Sequence, residues 1–586
     1  MSFTTRPELS GTFGMVASTH WLASGAGMAV LERGGNAFDA AVAAGLALGV
    51  VEPHLNGPGG DMPAIVWDAA RGEARVLCGQ GVAPAGATVG RLRDELGLDA
   101  VPGTGLLAAC VPGAFDAWML MLRDLGTLRL GEVMEHAIAF AAGGFPVLDR
   151  IAQTIEGVAG MFAAEWPTSA AVWLAGGWAP AAGSWMRNPD LAAAYRRLVG
   201  DAADATGDRD AQIEHARAAW REGWIAEAIA GFASSTEALD SSGRRHRGLL
   251  EEADLAGWSA TWEAPVTLGH RGVTVCKTGP WGQGPVLLQQ LALLCDVDVR
   301  GLGRDSAELA HAVIEGAKLA FADREAFYGD AGPVPLEALL SAEYAAERRG
   351  LIGERASLEL RPGSPGGAAA RLPSALVAEA RRPPQAGLGE PTRGDTCHLD
   401  VADRWGNLVS ATPSGGWLQS SPTVPGLGFC LDTRAQMFWL EDGLPSSLVG
   451  GTRPRTTLTP SLALRDGEGW MAFGTPGGDQ QDQWSLLFLL SVVDFGMNLQ
   501  EAIDAPAFHS THFPSSFFPR GARPGWMEIE CRAPEAAIAA LRGRGHRVEV
   551  TGPWSLSRLS AVAREAGGVL RAAADPRGMQ GYAAGR

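Results

Sequence analysis

The chain has 586 residues, 46% of them hydrophobic, which suffices for a large buried core in one α/β unit or in several. A net charge of −17 and a pI near 5.2 leave no basic stripe to neutralise phosphates, and the apolar stretches are too short for a bilayer, so neither nucleic acid nor membrane is an expected partner. The seven cysteines stand at unpaired spacings and no apolar segment opens the sequence, so a cytoplasmic protein is expected.

In chain order, residues 14–20 read as a strand, and an Ala-rich helix is expected over 22–33, stopped by Gly34-Gly35-Asn36. Helical spacing resumes over 37–50. Gly57-Pro58-Gly59-Gly60-Asp61 reads as a turn where positive φ or a close backbone approach demands glycine. Residues 105–260 are rich in Ala, Leu and Glu at helical spacing, with the acidic Glu251-Glu252-Ala253-Asp254 as a solvated helix start. Gly279-Pro280-Trp281-Gly282-Gln283-Gly284 precedes an apolar helix over 286–295; it has neither the Lys-Ser/Thr of a nucleotide loop nor a dinucleotide pattern. A further helix is expected over 311–330, its Glu315, Lys318, Asp323 and Arg324 forming a structural ionic network. From about 361 to 395, Pro, Gly, Ala and Arg are too dense for regular structure.

That strip ends at Asp395-Thr396. From Cys397 the pattern alternates, Cys397, Leu399 and Val401 on one face and Thr396, His398 and Asp400 on the other, as in a half-buried strand. Asp403 to Asn407 supplies turn residues and 408–412 resumes an extended pattern, which together give a β-hairpin. A turn centred near Trp405 sets Thr396 across from Ser414 and His398 across from Thr412; a turn on Gly406-Asn407 shifts that register. Thr396 is either an ordinary strand-start residue or a nucleophile. As a nucleophile its hydroxyl needs a base, and its own α-amine, with a reference pKa of roughly 7.7–8.0, serves once the Asp395–Thr396 bond is cut. Cys397 and His398 are unsuited to a thiol pair, because neighbours on a strand face opposite ways. His509 and His512 lack a third ligand at defined spacing, so no metal is expected, and no cofactor.

Downstream, 470–475 reads as a strand, Pro476-Gly477-Gly478-Asp479 as a turn and Asp482 onward as a helix. Backbone N–H groups of such a turn can converge on an oxyanion.

Asp395-Thr396-x-His398-x-x-Val401-x-Asp403-x-x-Gly406-Asn407, with Thr475-Pro476-Gly477-Gly478, resembles the gamma-glutamyltranspeptidase family of N-terminal-nucleophile hydrolases. Gly35-Asn36-Ala37-x-Asp39-Ala40-Ala41, Arg453-Pro454-Arg455-Thr456-Thr457-Leu458-Thr459-Pro460 and Asp575-Pro576-Arg577 resemble further family phrases, so the likeness runs from Gly14 to about Arg577. It implies a four-layer αββα sandwich (α/β, of the α+β kind) in which residues 1–395 form a large segment and 396–586 a small segment that starts at the nucleophile. It also implies self-cleavage before Thr396, with Thr412 or Ser414 orienting the freed amine and Gly477 and Gly478 stabilising the oxyanion. The implied partners are a small-molecule amide, such as a gamma-glutamyl compound of glutathione metabolism, and water or an amine acceptor. The processed chains would stay associated, and a dimer of such pairs is compatible with the resemblance.

The substrate-binding phrases depart from the family pattern. Gln80 stands where the family's Arg grips an α-carboxylate, and a neutral amide lacks that charge. Thr456 and Thr457 replace paired serines at the carboxylate site, adding methyl groups. Arg434 falls at a Gln position and Gln436 near an Asp position of the family's α-amine site. Arg434 either attracts a carboxylate or carbonyl there or is paired structurally with Asp432 or Glu441. These departures leave open an acylase for another carboxylated amide, of oxamate or glutaryl type, and a noncatalytic relative.

Overall fold

The computed structural model describes residues 3–174, 176–379 and 395–586. The stretch of the breaker-rich strip from 380 to 394, including Arg381-Arg382-Pro383-Pro384, lies outside the described residues. Among the described residues, two seven-stranded antiparallel sheets form the centre. One runs Tyr582–Gly585, Gly14–Ser18, Leu399–Asp403, Leu408–Ala411, Ala64–Asp68, Glu73–Cys78 and Thr261–Glu263. The other runs Leu9–Gly11, Leu570–Ala574, Ser560–Arg564, Glu468–Gly474, Ser461–Arg465, Val273–Lys277 and Val266–His270. Each sheet mixes strands from before and after Thr396.

The period-2 alternation of these strands builds the layers. In the first sheet, Val16, Val66, Leu399 and Val401 pack on the helices Trp21–Glu32, Ala37–Val51 and Ala114–Leu125. Their neighbours Met15, Ala17, Ile65 and Trp67 face Leu462, Ala472 and Val562 of the second sheet. Behind that sheet, Ala463, Met471 and Phe473 pack on the helices Pro285–Leu294, Ala307–Phe327 and Gln481–Val493. The result is the αββα sandwich. Leu399–Asp403 is therefore buried along its whole length rather than half-buried, because a second sheet covers the face that carries His398 and Asp400.

The helix Ala37–Val51 is apolar nearly all round and is accordingly enclosed on every side. Asn36 and Asp39 close a capping box at its start, and the Asp39 carboxylate also accepts the Thr127 and Leu128 N–H groups. The expected ionic network on Ala307–Phe327 is present: Lys318 pairs with Glu315 at 2.5 Å, and Arg324 pairs with Glu325 at 2.8 Å. No helix among the described residues is long and apolar enough to cross a membrane.

Candidate active site

The hairpin Leu399–Asp403 and Leu408–Ala411 pairs Leu399 with Ala411 and Asp400 with Ser410, which is the register of a turn centred on Trp405. Thr396 consequently forms a bridge with Ser414. The Ser414 Oγ donates to the Asp395 carbonyl at 3.0 Å and lies 3.1 Å from the Thr396 Oγ1. Ser414 has a single hydroxyl proton, so with that proton on the Asp395 carbonyl, Thr396 donates to Ser414. One side chain thus touches both the Thr396 hydroxyl and the carbonyl of the residue before it. Thr396 is only 2% exposed, and its N–H donates to the Asp395 Oδ1 at 2.9 Å.

Ser414 is held by Asp61, whose backbone exchanges two hydrogen bonds with it, at 2.8 and 2.9 Å. The glycines before Asp61 are there for close approach: a Cβ on Gly60 would meet the Ser414 carbonyl at 2.1 Å, and one on Gly59 the Cys430 carbonyl at 2.2 Å. The Asp61 carboxylate receives Arg434 through Nε, at 2.9 and 3.1 Å, and Nη2, at 3.0 Å. Burial raises the Asp61 pKa, and Arg434 opposes that rise. Arg434 thus takes Asp61 as its counter-ion in place of Asp432 or Glu441, while its backbone N–H donates to the Asp432 Oδ1 at 2.9 Å. Burial first, then the Asp61 charge, pushes the Asp432 carboxyl up to about 8.

Thr412 is one step removed from Thr396, its hydroxyl lying 2.9 Å from the His398 Nδ1. The His398 Nε2 is 3.0 Å from the Asp400 carboxylate, which can only accept when ionised; the network therefore assigns the proton to Nε2 and makes Thr412 the donor to Nδ1. Ser560 donates to the other Asp400 oxygen at 2.7 Å. His398 packs on Gly474, where a Cβ would come within 2.4 Å of the ring, and Gly474 leads into the Pro476-Gly477-Gly478 turn. Gly477 has φ 129° and Gly478 φ 56°, conformations that favour glycine. Asp479 pins the turn by accepting from the Ser516 N–H and Oγ and from Arg324, so the ionic network of the outer helix extends to this turn.

The remaining expected residues are buried and mostly engaged with protein. Gln80 donates through Nε2 to the Gly81 carbonyl at 3.2 Å, and its Oε1 has no partner among the described residues. Gln436 donates to the Gly103 and Thr433 carbonyls and accepts from the Phe518 N–H. Thr456 bridges to Gly282 and accepts from the Leu458 N–H, whereas the Thr457 hydroxyl is unpartnered among the described residues.

Two arginines escape sequence reasoning altogether. Arg150, in the first turn of the helix Asp149–Glu165, reaches the Asp395 Oδ2 at 3.0 Å, and Arg558 pairs with the same oxygen. No motif marks either, and both are far from Thr396 in the chain. Beneath them Glu52 accepts from Thr19 at 2.7 Å and from the Cys397 thiol at 2.9 Å; burial raises both the Glu52 and the Cys397 pKa, so the thiol is held protonated and is no nucleophile.

The family model described as gamma-glutamyltranspeptidase matches residues 23–585. Acylase ACY 1 proenzyme of Pseudomonas sp. (strain SE83) is 32% identical over 578 residues, covering 96% of this chain and 92% of that protein. Among solved structures, LmbA2991HD superposes with a TM-score of 0.95 at 59% identity, with full coverage of both chains. Cephalosporin acylase from Bacillus halodurans superposes with a TM-score of 0.81 at 28% identity, covering all of this chain and 97% of the other.

Proposed function

The chain belongs to the gamma-glutamyltranspeptidase family and is an N-terminal-nucleophile amidohydrolase or transferase, and on that premise we propose that Thr396 is its nucleophile, set free by self-cleavage. The observation that carries this reading is the Ser414 hydroxyl placed between the Thr396 Oγ1 and the Asp395 carbonyl. In maturation the Thr396 oxygen attacks the Asp395 carbonyl carbon, and Ser414 steadies the charge developing on the carbonyl oxygen. The C–N bond then breaks, with the nitrogen taking the hydroxyl proton. Water hydrolyses the resulting ester, leaving an Asp395 carboxylate and a Thr396 with free amine and hydroxyl. In turnover that amine accepts the hydroxyl proton, Thr396 Oγ attacks the substrate amide, and the Gly477 and Gly478 N–H groups receive the oxyanion. The amide C–N bond then breaks, the departing amine taking the proton held by the Thr396 amine, and water or an amine acceptor resolves the acyl-enzyme.

The large segment (residues 1–395) and the small segment (residues 396–586) remain one body in this proposal, since both central sheets draw strands from each. The substrate is a small carboxylated amide, and an acyl donor other than gamma-glutamyl is favoured by one observation: Gln80 occupies the expected carboxylate-gripping position with a neutral amide. The acylase names of two similar proteins point the same way. A cytoplasmic setting belongs to the same proposal, supported by the scattered cysteines.

The test is a denaturing gel with N-terminal mass spectrometry, followed by an amide panel that includes glutathione. The purified protein is expected as two chains, the smaller starting at Thr396, with Thr396→Ala as a single band and Thr396→Ser retaining the split. Substrate turnover by a folded, uncut chain overturns the assignment.

A further inference from the structure

Before cleavage, the Asp395 side chain sits in a charged pocket that the catalytic cycle described above does not use. Its Oδ2 is held by Arg150 at 3.0 Å and by Arg558. Arg558 has a side chain 13% exposed, and its Nη1 has no partner among the described residues. His54 lies within electrostatic reach of both arginines; it is 2% exposed and neither ring nitrogen has a partner among the described residues. These three atoms, two on His54 and one on Arg558 itself, leave hydrogen-bonding capacity around the Asp395 carboxylate that a polar ligand can take up.

The same oxygen attacks Asp395 in maturation and the substrate in turnover, so the pocket on the acyl side of the Asp395 carbonyl is where the acyl side of a substrate has to lie. When the bond breaks and Asp395 withdraws, Arg558 loses its bonded carboxylate inside protein, and a buried guanidinium requires an anion. Glu52 and Asp575 are the neighbouring carboxylates, but burial pushes the pKa of both up and Asp575 is already paired with Arg577, which weakens both as replacements.

We propose that Arg150 and Arg558, with His54 beside them, form a carboxylate subsite that Asp395 fills in the uncut chain, and that the mature enzyme takes amides whose acyl group ends in a carboxylate at the spacing of an aspartyl side chain, that is, succinyl-type acyl donors. The proposal rests on Thr396 being the nucleophile and names the acyl class for that same site. It is distinct from Gln80, Thr456 and Thr457, which occupy the expected α-carboxylate region. Arg150, half exposed at a helix start, forms the outer jaw, and the enclosed Arg558 the inner one.

The experiment compares succinyl-p-nitroanilide with butyryl-p-nitroanilide, which matches it in length but lacks the charge, on cleaved wild-type, Arg150→Gln and Arg558→Gln proteins. Wild type is expected to favour the succinyl compound in kcat/KM by about tenfold or more, the usual worth of a charge-assisted bond, and each substitution to reduce that ratio by about tenfold. If Arg558→Gln fails to mature, Arg150→Gln carries the comparison, because its side chain is not needed to fill the core. Equal rates on the two anilides, or an unchanged ratio in the variants, overturn the subsite while leaving the amidase reading intact. A cut protein inert toward both, and toward the wider amide panel, overturns the amidase reading instead. The subsite is then decided by calorimetry with succinate against butyrate: selective succinate binding that Arg150→Gln abolishes supports it, and equal or absent binding overturns it.

Discussion

Asp61→Asn isolates the support beneath Ser414 and the Thr396 hydroxyl. Asp61 is 1% exposed, its carboxylate receives three hydrogen-bond contacts from Arg434, and its backbone fixes Ser414 through two more. The substitution keeps the shape but leaves the Arg434 guanidinium buried with no full negative charge against it, which costs about 3–5 kcal/mol. Over 586 residues, an unfolding entropy of about 2.1 cal/mol/K per residue turns that into a fall of about 3 °C in Tm. The measurement belongs in the uncut Thr396→Ala background, where unfolding involves one chain, with Asp432→Asn added, because losing the Asp61 charge also lowers the Asp432 pKa and lets that second carboxyl take over the role of counter-ion. Asp61→Asn combined with Arg434→Met removes the orphaned cation and is expected to recover more than half of the loss. In the cleavage-competent chain, Asp61→Asn is expected to slow maturation as well, because the segment whose backbone holds Ser414 loses its ion pair to Arg434. A single-substitution loss below about 1 kcal/mol, or no recovery in the double variant, refutes the reasoning.

Ser414→Ala removes contacts to both the Thr396 Oγ1 and the Asp395 carbonyl, and is expected to slow self-cleavage about tenfold or more in a gel time course. Gly477→Ala places a Cβ 2.3 Å from Trp484 at φ 129°, so a stability loss of about 1–3 kcal/mol in urea titration and a drop of about 10–100-fold in kcat are expected. Asp432 has its pKa raised on folding from 3.8 to about 8, so the folded state holds a proton the unfolded chain has released. Its contribution is whole below about pH 4 and is lost as pH rises through about 8; Asp432→Asn is therefore expected to flatten that fall in Tm across pH 5–8.

Local pattern made the hairpin legible, including the pairing of Thr396 with Ser414, because strand alternation and a single turn leave few registers. The glycines at 57–60 were legible as a demand for close approach, although not for what approaches: the Ser414 and Cys430 carbonyls belong to segments far along the chain. Arg434 illustrates the limit most clearly. Nearby acidic residues in sequence are the natural candidates for its partner, yet the true one is Asp61, brought in by the bridge between Asp61 and Ser414. Arg150 and Arg558 were invisible for the same reason, since a lone arginine on a helix or loop carries no periodic signal and acquires meaning only where the two sheets converge on Asp395. Full burial of Leu399–Asp403 likewise depends on the stacked sheet, which alternation in one strand does not report.

The pairing of Tyr582–Gly585 with Gly14–Ser18, and of Gly14–Ser18 in turn with Leu399–Asp403, bears on timing. During synthesis the scissile bond leaves the ribosome well before the strand that seals the flank of its sheet. A geometry able to sever the backbone therefore waits for the strand Tyr582–Gly585 to be made, which protects the nascent polypeptide from being cut while its pieces could still drift apart.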